Sequence, residues 1–168
     1  MKGHYPDAAT SGIHRHPIRV YYEDTDAGGI VYHATYLRFI ERARTEALRD
    51  LGIPHSEMVR EHGCMFVVRH VTLDYRRPSR PDDLLMVLTE ALLVGGASVT
   101  LRQSVILAES EPGAAAESGL PPRVIATIRL ACADIVTGQP SRLPARWRAA
   151  IERLAVAPPN PALIGRQE

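Results

Sequence analysis

The sequence predicts an α+β domain in which one long helix packs on a five-stranded antiparallel sheet. Three observations carry that expectation. A run from Ala34 to Leu51 repeats its apolar residues at helical spacing. Later stretches, from Phe66 to Asp134, alternate apolar and polar residues with the period of strands. The links between those strands look largely like hairpins, which force antiparallel neighbours and exclude a parallel βαβ array. A single helix laid on one face of a curved sheet then buries the apolar side of both.

Each element has its own signals. Ile18 to Glu23 is short, apolar and aromatic, as a strand should be, and Asp26-Ala27-Gly28-Gly29 breaks it. On the long helix Tyr36, Ile40, Ala43, Ala47 and Leu51 form the apolar stripe, and Gly52 followed by Pro54 ends it. A short second helix is expected from about Ser56 to Gly63. Val67, Val71, Leu73 and Tyr75 should share one face of the second strand, a pattern that Arg69 interrupts. Pro78 and Pro81 bracket a turn before Leu84–Leu92, and Gly95-Gly96 marks a hairpin. Val99, Leu101, Val105 and Leu107 then alternate with Ser98, Thr100, Arg102 and Ser104. Residues 109–122 read as a long hairpin loop, Val124–Asp134 as the last strand, and Pro144 as the opening of a terminal helix that runs to about Leu154. The expected organisation is a flexible leader over 1–16, one domain over 17–154 and a flexible tail over 155–168.

Composition narrows the chemistry. A chain of 168 residues with 45% apolar and 23% charged side chains can build a single core and a soluble surface. No apolar run approaches the roughly 18 residues of a membrane helix, and the polar N-terminus does not read as a signal peptide, so the cytoplasm is the expected location. The net charge of +1 offers no electrostatic footprint for nucleic acid. Apart from Lys2 every Lys or Arg is arginine, which removes lysine as a nucleophile. Cys64 and Cys132 match no metal-ligand spacing and read as buried thiols.

The stretch with chemical potential is Tyr22-Glu23-Asp24-Thr25-Asp26-Ala27-Gly28-Gly29-Ile30-Val31-Tyr32-His33. Two aspartates lie beside two glycines, immediately before a helix. The glycines permit positive φ and close backbone approach. The first helical turn presents unpaired N–H groups that can polarise a carbonyl or hold an oxyanion. A carboxylate facing that point could attack the carbonyl or activate water. Residue types alone leave ordinary helix capping as a competing reading. A magnesium-dependent phosphoryl-transfer site fits less well, since it wants a parallel sheet and further motifs that this chain does not offer.

The string from Arg19 to Tyr36, with Glu41-Arg42-Ala43-Arg44-Thr45-Glu46, Phe66-Val67-Val68-Arg69, Tyr75-Arg76-Arg77-Pro78-Ser79-Arg80-Pro81-Asp82-Asp83 and Leu143-Pro144, resembles the hotdog-fold 4-hydroxybenzoyl-CoA thioesterase family, in its YbgC (Tol-Pal-associated) branch. The similarity spans about residues 17–154. It implies a sheet wrapped around the long helix and a homodimer or homotetramer with active sites between subunits. It implies hydrolysis of an acyl-CoA to free acid and CoA, with no cofactor beyond the CoA of the substrate.

By the same resemblance Asp26 is the catalytic carboxylate, as nucleophile or general base, and Tyr22 and His33 are its companions. The backbone N–H at His33 polarises the thioester carbonyl. Gly28, Gly29, Val31 and Tyr32 form the substrate-binding stretch, and Asp24 is a cap or turn residue. Arg76 and Arg77, with Arg80, form the densest basic cluster and could hold CoA phosphates; a solvated turn is the plainer reading. Gly95-Gly96 departs from relatives that carry basic residues at that turn. A hotdog dehydratase is a weaker alternative, because its motif is absent. A non-catalytic acyl-CoA-binding module is another, and acyl carrier or envelope-associated proteins are conceivable further partners.

Overall fold

A computed structural model describes residues 12–108 and 121–155. Its elements are β1 (His14–Arg19), a 3-10 turn (Tyr22–Asp24), α1 (Thr35–Asp50), α2 (His55–His62), β2 (Cys64–Tyr75), β3 (Leu84–Val94), β4 (Ser98–Leu107), β5 (Val124–Asp134) and α3 (Ala145–Glu152). The strands form one antiparallel sheet in the order β1-β3-β4-β5-β2. The α+β expectation and the wrapped-helix arrangement are both met.

Core formation follows from the two periodicities. α1 buries Tyr36, Phe39, Ile40, Ala43, Ala47 and Leu48, a stripe spaced by three and four residues. Against it lie Leu85 and Val87 from β3, Val99 and Val105 from β4, and Ala126 and Ile128 from β5, all at most 1% exposed. Gly52 at φ +75° and Gly63 at φ +59° supply the left-handed residues that follow α1 and α2. Trp147 of α3 is fully buried, and its indole N–H donates to the Ile53 carbonyl at 3.1 Å. That bond ties the terminal helix to the link between α1 and α2.

Gln103 interrupts the apolar face of β4 without cost, because every polar atom of its amide group is used. Nε2 donates to the Ile40 carbonyl at 2.8 Å and to Thr89 Oγ1 at 2.9 Å, while Oε1 accepts from Arg44 at 3.4 Å. Left unpaired, a buried amide would cost about 1–3 kcal/mol.

Several expectations need correction. The first strand is His14–Arg19, not Ile18–Glu23. Its partner β3 begins at Leu84, opposite Arg19, so beyond Val20 no ladder remains. The ladder begins before residue 17: His14 to His16 pair with Thr89 to Val87, and His14 is buried against Asp50 at 2.8 Å. Residues 1–11 lie outside the described residues.

The face assigned to β2 is also wrong in part. The register slips between Val68 and His70, so Arg69 is an extra residue in a bulge. A bulge reverses the alternation, which puts Phe66 on the same side as Val71, Leu73 and Tyr75 and sends Val67 to the other. β3 runs on to Val94, with a second irregularity at Leu92. The link bracketed by Pro78 and Pro81 is no hairpin, because β2 and β3 are not neighbours. It spans three strand gaps, about 14 Å at ordinary spacing, within reach of eight residues at roughly 3.3 Å each. At the C-terminal end Ala155 bridges to Ala91. Residues 109–120 and 156–168, where a loop and a tail were expected, lie outside the described residues.

Candidate active site

Past Val20 the chain leaves the sheet and turns. The Tyr21 N–H donates to Asp24 Oδ2 at 2.9 Å, and the Asp24 N–H donates to the Tyr21 carbonyl at 3.0 Å. Asp24 is therefore the cap of the 3-10 turn. This turn stands where the expected first strand would have continued to Glu23.

A tight hairpin follows. The Tyr32 N–H donates to the Asp24 carbonyl at 2.9 Å, Thr25 bridges Val31, and the Asp26 N–H donates to the Ile30 carbonyl at 3.0 Å. At its tip the Gly29 N–H donates to the Asp26 carbonyl at 3.0 Å, and Gly29 has φ +70°, a conformation that glycine adopts without strain. The Gly28 N–H donates to Asp26 Oδ1 at 2.7 Å. Asp26 is exposed, and its Oδ2 takes no hydrogen bond among the described residues. Neither aspartate caps α1, whose first residues have no side-chain cap.

The return strand of the hairpin leads into the helix. The Thr35 N–H donates to the Tyr32 carbonyl at 2.8 Å. Between them, the N–H groups of His33 and Ala34 have no acceptor among the described residues. Two open donors at the positive end of a sixteen-residue helix are the local electrostatic feature of this site.

The link from β2 to β3 forms the opposite wall. The Val31 N–H donates to the Ser79 carbonyl at 2.9 Å. Tyr36 donates its hydroxyl hydrogen to Ser79 Oγ at 3.0 Å and accepts the Ser79 N–H at 3.1 Å, both buried. Tyr75 donates to the His33 carbonyl at 2.9 Å, with its ring edge-on to His33 and Tyr36 at 6.4 and 5.9 Å. Burial, with a smaller contribution from Tyr36, raises the Tyr75 pKa above its ordinary value, so it stays a donor at neutral pH.

Asp26, Gly28, Gly29, Tyr32 and His33 thus lie on one hairpin and its exit. Val31 belongs to the same strand, but its side chain is in the core, 3% exposed, and only its backbone reaches the wall. Tyr22 is 82% exposed and makes no side-chain hydrogen bond among the described residues, to Asp26 or to any other group. Arg77 is exposed, whereas Arg76 is paired with Asp74 at 2.7 Å. Sequence reasoning missed the roles of Tyr75, Ser79 and Tyr36. Tyr75 and Ser79 stood in a motif beside the arginines, yet nothing local says that they face residues more than forty positions earlier.

The cysteines are far from this site. Both are buried and unpaired, and burial, together with neighbouring Cys64, pushes the Cys132 thiol up to about 12. That is the opposite of an activated nucleophile. An open groove of about 530 Å³, lined by His62, Cys64, Ser141, Arg142, Pro144 and Arg148 among others, also lies away from Asp26.

Comparison with known proteins matches residues 28–114 to the model of the thioesterase superfamily. The acyl-CoA thioesterase YbgC of Haemophilus influenzae is 40% identical over 143 residues, covering 82% of this chain and 93% of that protein. The acyl-CoA thioester hydrolase YbgC of Escherichia coli O6:H1 is 47% identical over 98 residues, 58% of this chain and 72% of its own. Among solved structures, a probable thioesterase from Bartonella henselae superposes with a TM-score of 0.67 at 35% identity, covering 79% of this chain and 99% of the other. With the wrapped helix and antiparallel sheet in place, the chain belongs to the hotdog-fold thioesterase superfamily.

Proposed function

We propose that this protein hydrolyses an acyl-CoA thioester to a free carboxylic acid and CoA, with Asp26 as the reacting carboxylate. One observation carries the reading: an exposed, singly bonded carboxylate sits on a hairpin that runs directly into two open N–H donors at a helix start. The thioester oxygen takes the His33 and Ala34 N–H groups. Negative charge grows on that oxygen as the carbonyl carbon becomes tetrahedral, so the donors hold the transition state more tightly than the substrate. Asp26 either attacks the carbon directly or removes a proton from the attacking water, and both routes give the same acid. His33 positions the substrate or returns a proton to the departing thiolate.

The names of the relatives support CoA as the carrier of the acyl group. Arg77, with Arg76 and Arg80 on the same link, is the proposed contact for CoA phosphates. Tyr21, Tyr22, Tyr32 and Tyr75 are 63, 82, 46 and 47% exposed, an aromatic surface around the carboxylate that a second copy and the acyl-pantetheine arm would cover. β2 is a twelve-residue edge strand whose outer backbone is free to pair with another copy. The working unit in this reading is a cytoplasmic homodimer or homotetramer. No helix among the described residues is long and apolar enough to cross a membrane.

The test is a panel of acyl-CoAs assayed with a thiol-trapping reagent, using wild type and Asp26→Asn. Loss of at least about a hundredfold in kcat, near 2.7 kcal/mol of barrier, is expected. Turnover within about threefold of wild type removes Asp26 from the chemistry. An inactive wild type that still binds acyl-CoA identifies a binding module instead.

A further inference from the structure

The attack and proton transfer proposed above leave the Tyr75 hydroxyl without a role, yet it is bonded to the peptide that carries an open donor. Leu37 donates its N–H to the Ala34 carbonyl at 3.1 Å, a tightened first turn, and the His33 carbonyl is left without a helical partner. Tyr75 fills that vacancy at 2.9 Å. The His33 carbonyl and the Ala34 N–H are the two poles of one planar peptide unit. Holding the oxygen on one side therefore fixes where the N–H points on the other. A hydrogen bond to the carbonyl also polarises the amide and makes its N–H a stronger donor. The ring that delivers the hydroxyl is itself held, edge-on to Tyr36, which is anchored to buried Ser79.

We propose that Tyr75 is a positioning residue for thioester hydrolysis, orienting and polarising the His33–Ala34 peptide so that the Ala34 N–H joins the His33 N–H at the developing oxyanion. The proposal rests on the thioesterase reading of the same site. Its signature is a loss confined to kcat, because the donor matters most when the carbonyl oxygen carries charge.

Tyr75→Phe keeps the ring and its contacts with His33 and Tyr36, and at a residue 47% exposed it leaves folding intact. Steady-state kinetics on the best acyl-CoA of the panel should show kcat down about tenfold, with KM within about twofold and the melting temperature within a few degrees. The amide nitrogen resonance of Ala34 should move on substitution, since its carbonyl partner has lost a hydrogen bond. A kcat within twofold of wild type, an unmoved Ala34 resonance, or kcat and KM changing together with a lower melting temperature overturns the proposal. Wild type inactive on every thioester overturns the thioesterase reading and this proposal together. An active wild type with an unaltered Tyr75→Phe overturns the proposal alone.

Discussion

The Gly28 N–H holds Oδ1 of Asp26 at 2.7 Å, so the carboxylate is oriented by the backbone of its own loop. A Cβ on Gly28 would stand 3.0 Å from that oxygen. Gly28→Ala is expected to displace the carboxylate and lower kcat/KM about tenfold, near 1.4 kcal/mol, with little change in melting temperature. Gly29→Ala should do the reverse. A Cβ there meets nothing within 4 Å, but φ is +70°, so the cost is backbone strain of about 1–2 kcal/mol while the Asp26 oxygen stays uncrowded. Kinetics and thermal melting on the pair separate the two effects, and equal losses of activity would contradict this account.

Tyr36 and Ser79 form a buried reciprocal pair, and Ser79 also accepts the Val31 N–H. Tyr36→Phe strands the Ser79 N–H, and Ser79 is fully buried. A loss of about 1–3 kcal/mol in urea unfolding is expected. Ser79→Ala should cost less, because its N–H keeps the Tyr36 oxygen. Equal stability of Tyr36→Phe and wild type would show that water replaces the lost bond.

Stability should fall between neutral and mildly acidic pH. Burial holds His55 below its ordinary value, with Arg44 and Arg49 adding to the effect. Burial does the same for His16, opposed by Glu46 and assisted by His14 and Arg42. The unfolded chain takes up these protons near pH 6.5, before the folded chain does. Their contribution is therefore complete above about pH 6.5 and is lost as pH falls through the folded values. Asp134 stays out of this window, because the Thr137 N–H and hydroxyl and the Val136 N–H hold its carboxyl below the usual range. The melting temperature should be lower at pH 5 than at pH 7.5, and His55→Gln should shrink the difference. An unchanged difference in that variant would exclude His55 as a source.

The elements legible in the sequence are those with strong local periodicity. The stripe on α1 and the alternation of β4 reappear as buried faces, with Gln103 in place among the apolar residues of β4. β1 is not legible in the sequence because His14-Arg15-His16-Pro17 carries no apolar signal; its strand character comes from the backbone of β3. In β2 the bulge at Arg69 shifts the pleat by one residue, and pattern matching across the break mixes two faces. Strand order was equally hidden, since a short proline-bracketed link looks like a turn whether it joins neighbours or crosses a sheet.

The sequence by itself determined the fold family, the helix and most strands, and the glycine turn that follows Asp26. Those depend on periodicity, on glycine conformations and on a long motif, all local in the chain. Only the tertiary structure decided that Tyr75 and Ser79 brace the start of α1 from the far side. Hydrogen bonds between residues forty positions apart depend on how sheet and helix are brought together, and no short stretch of sequence encodes that approach.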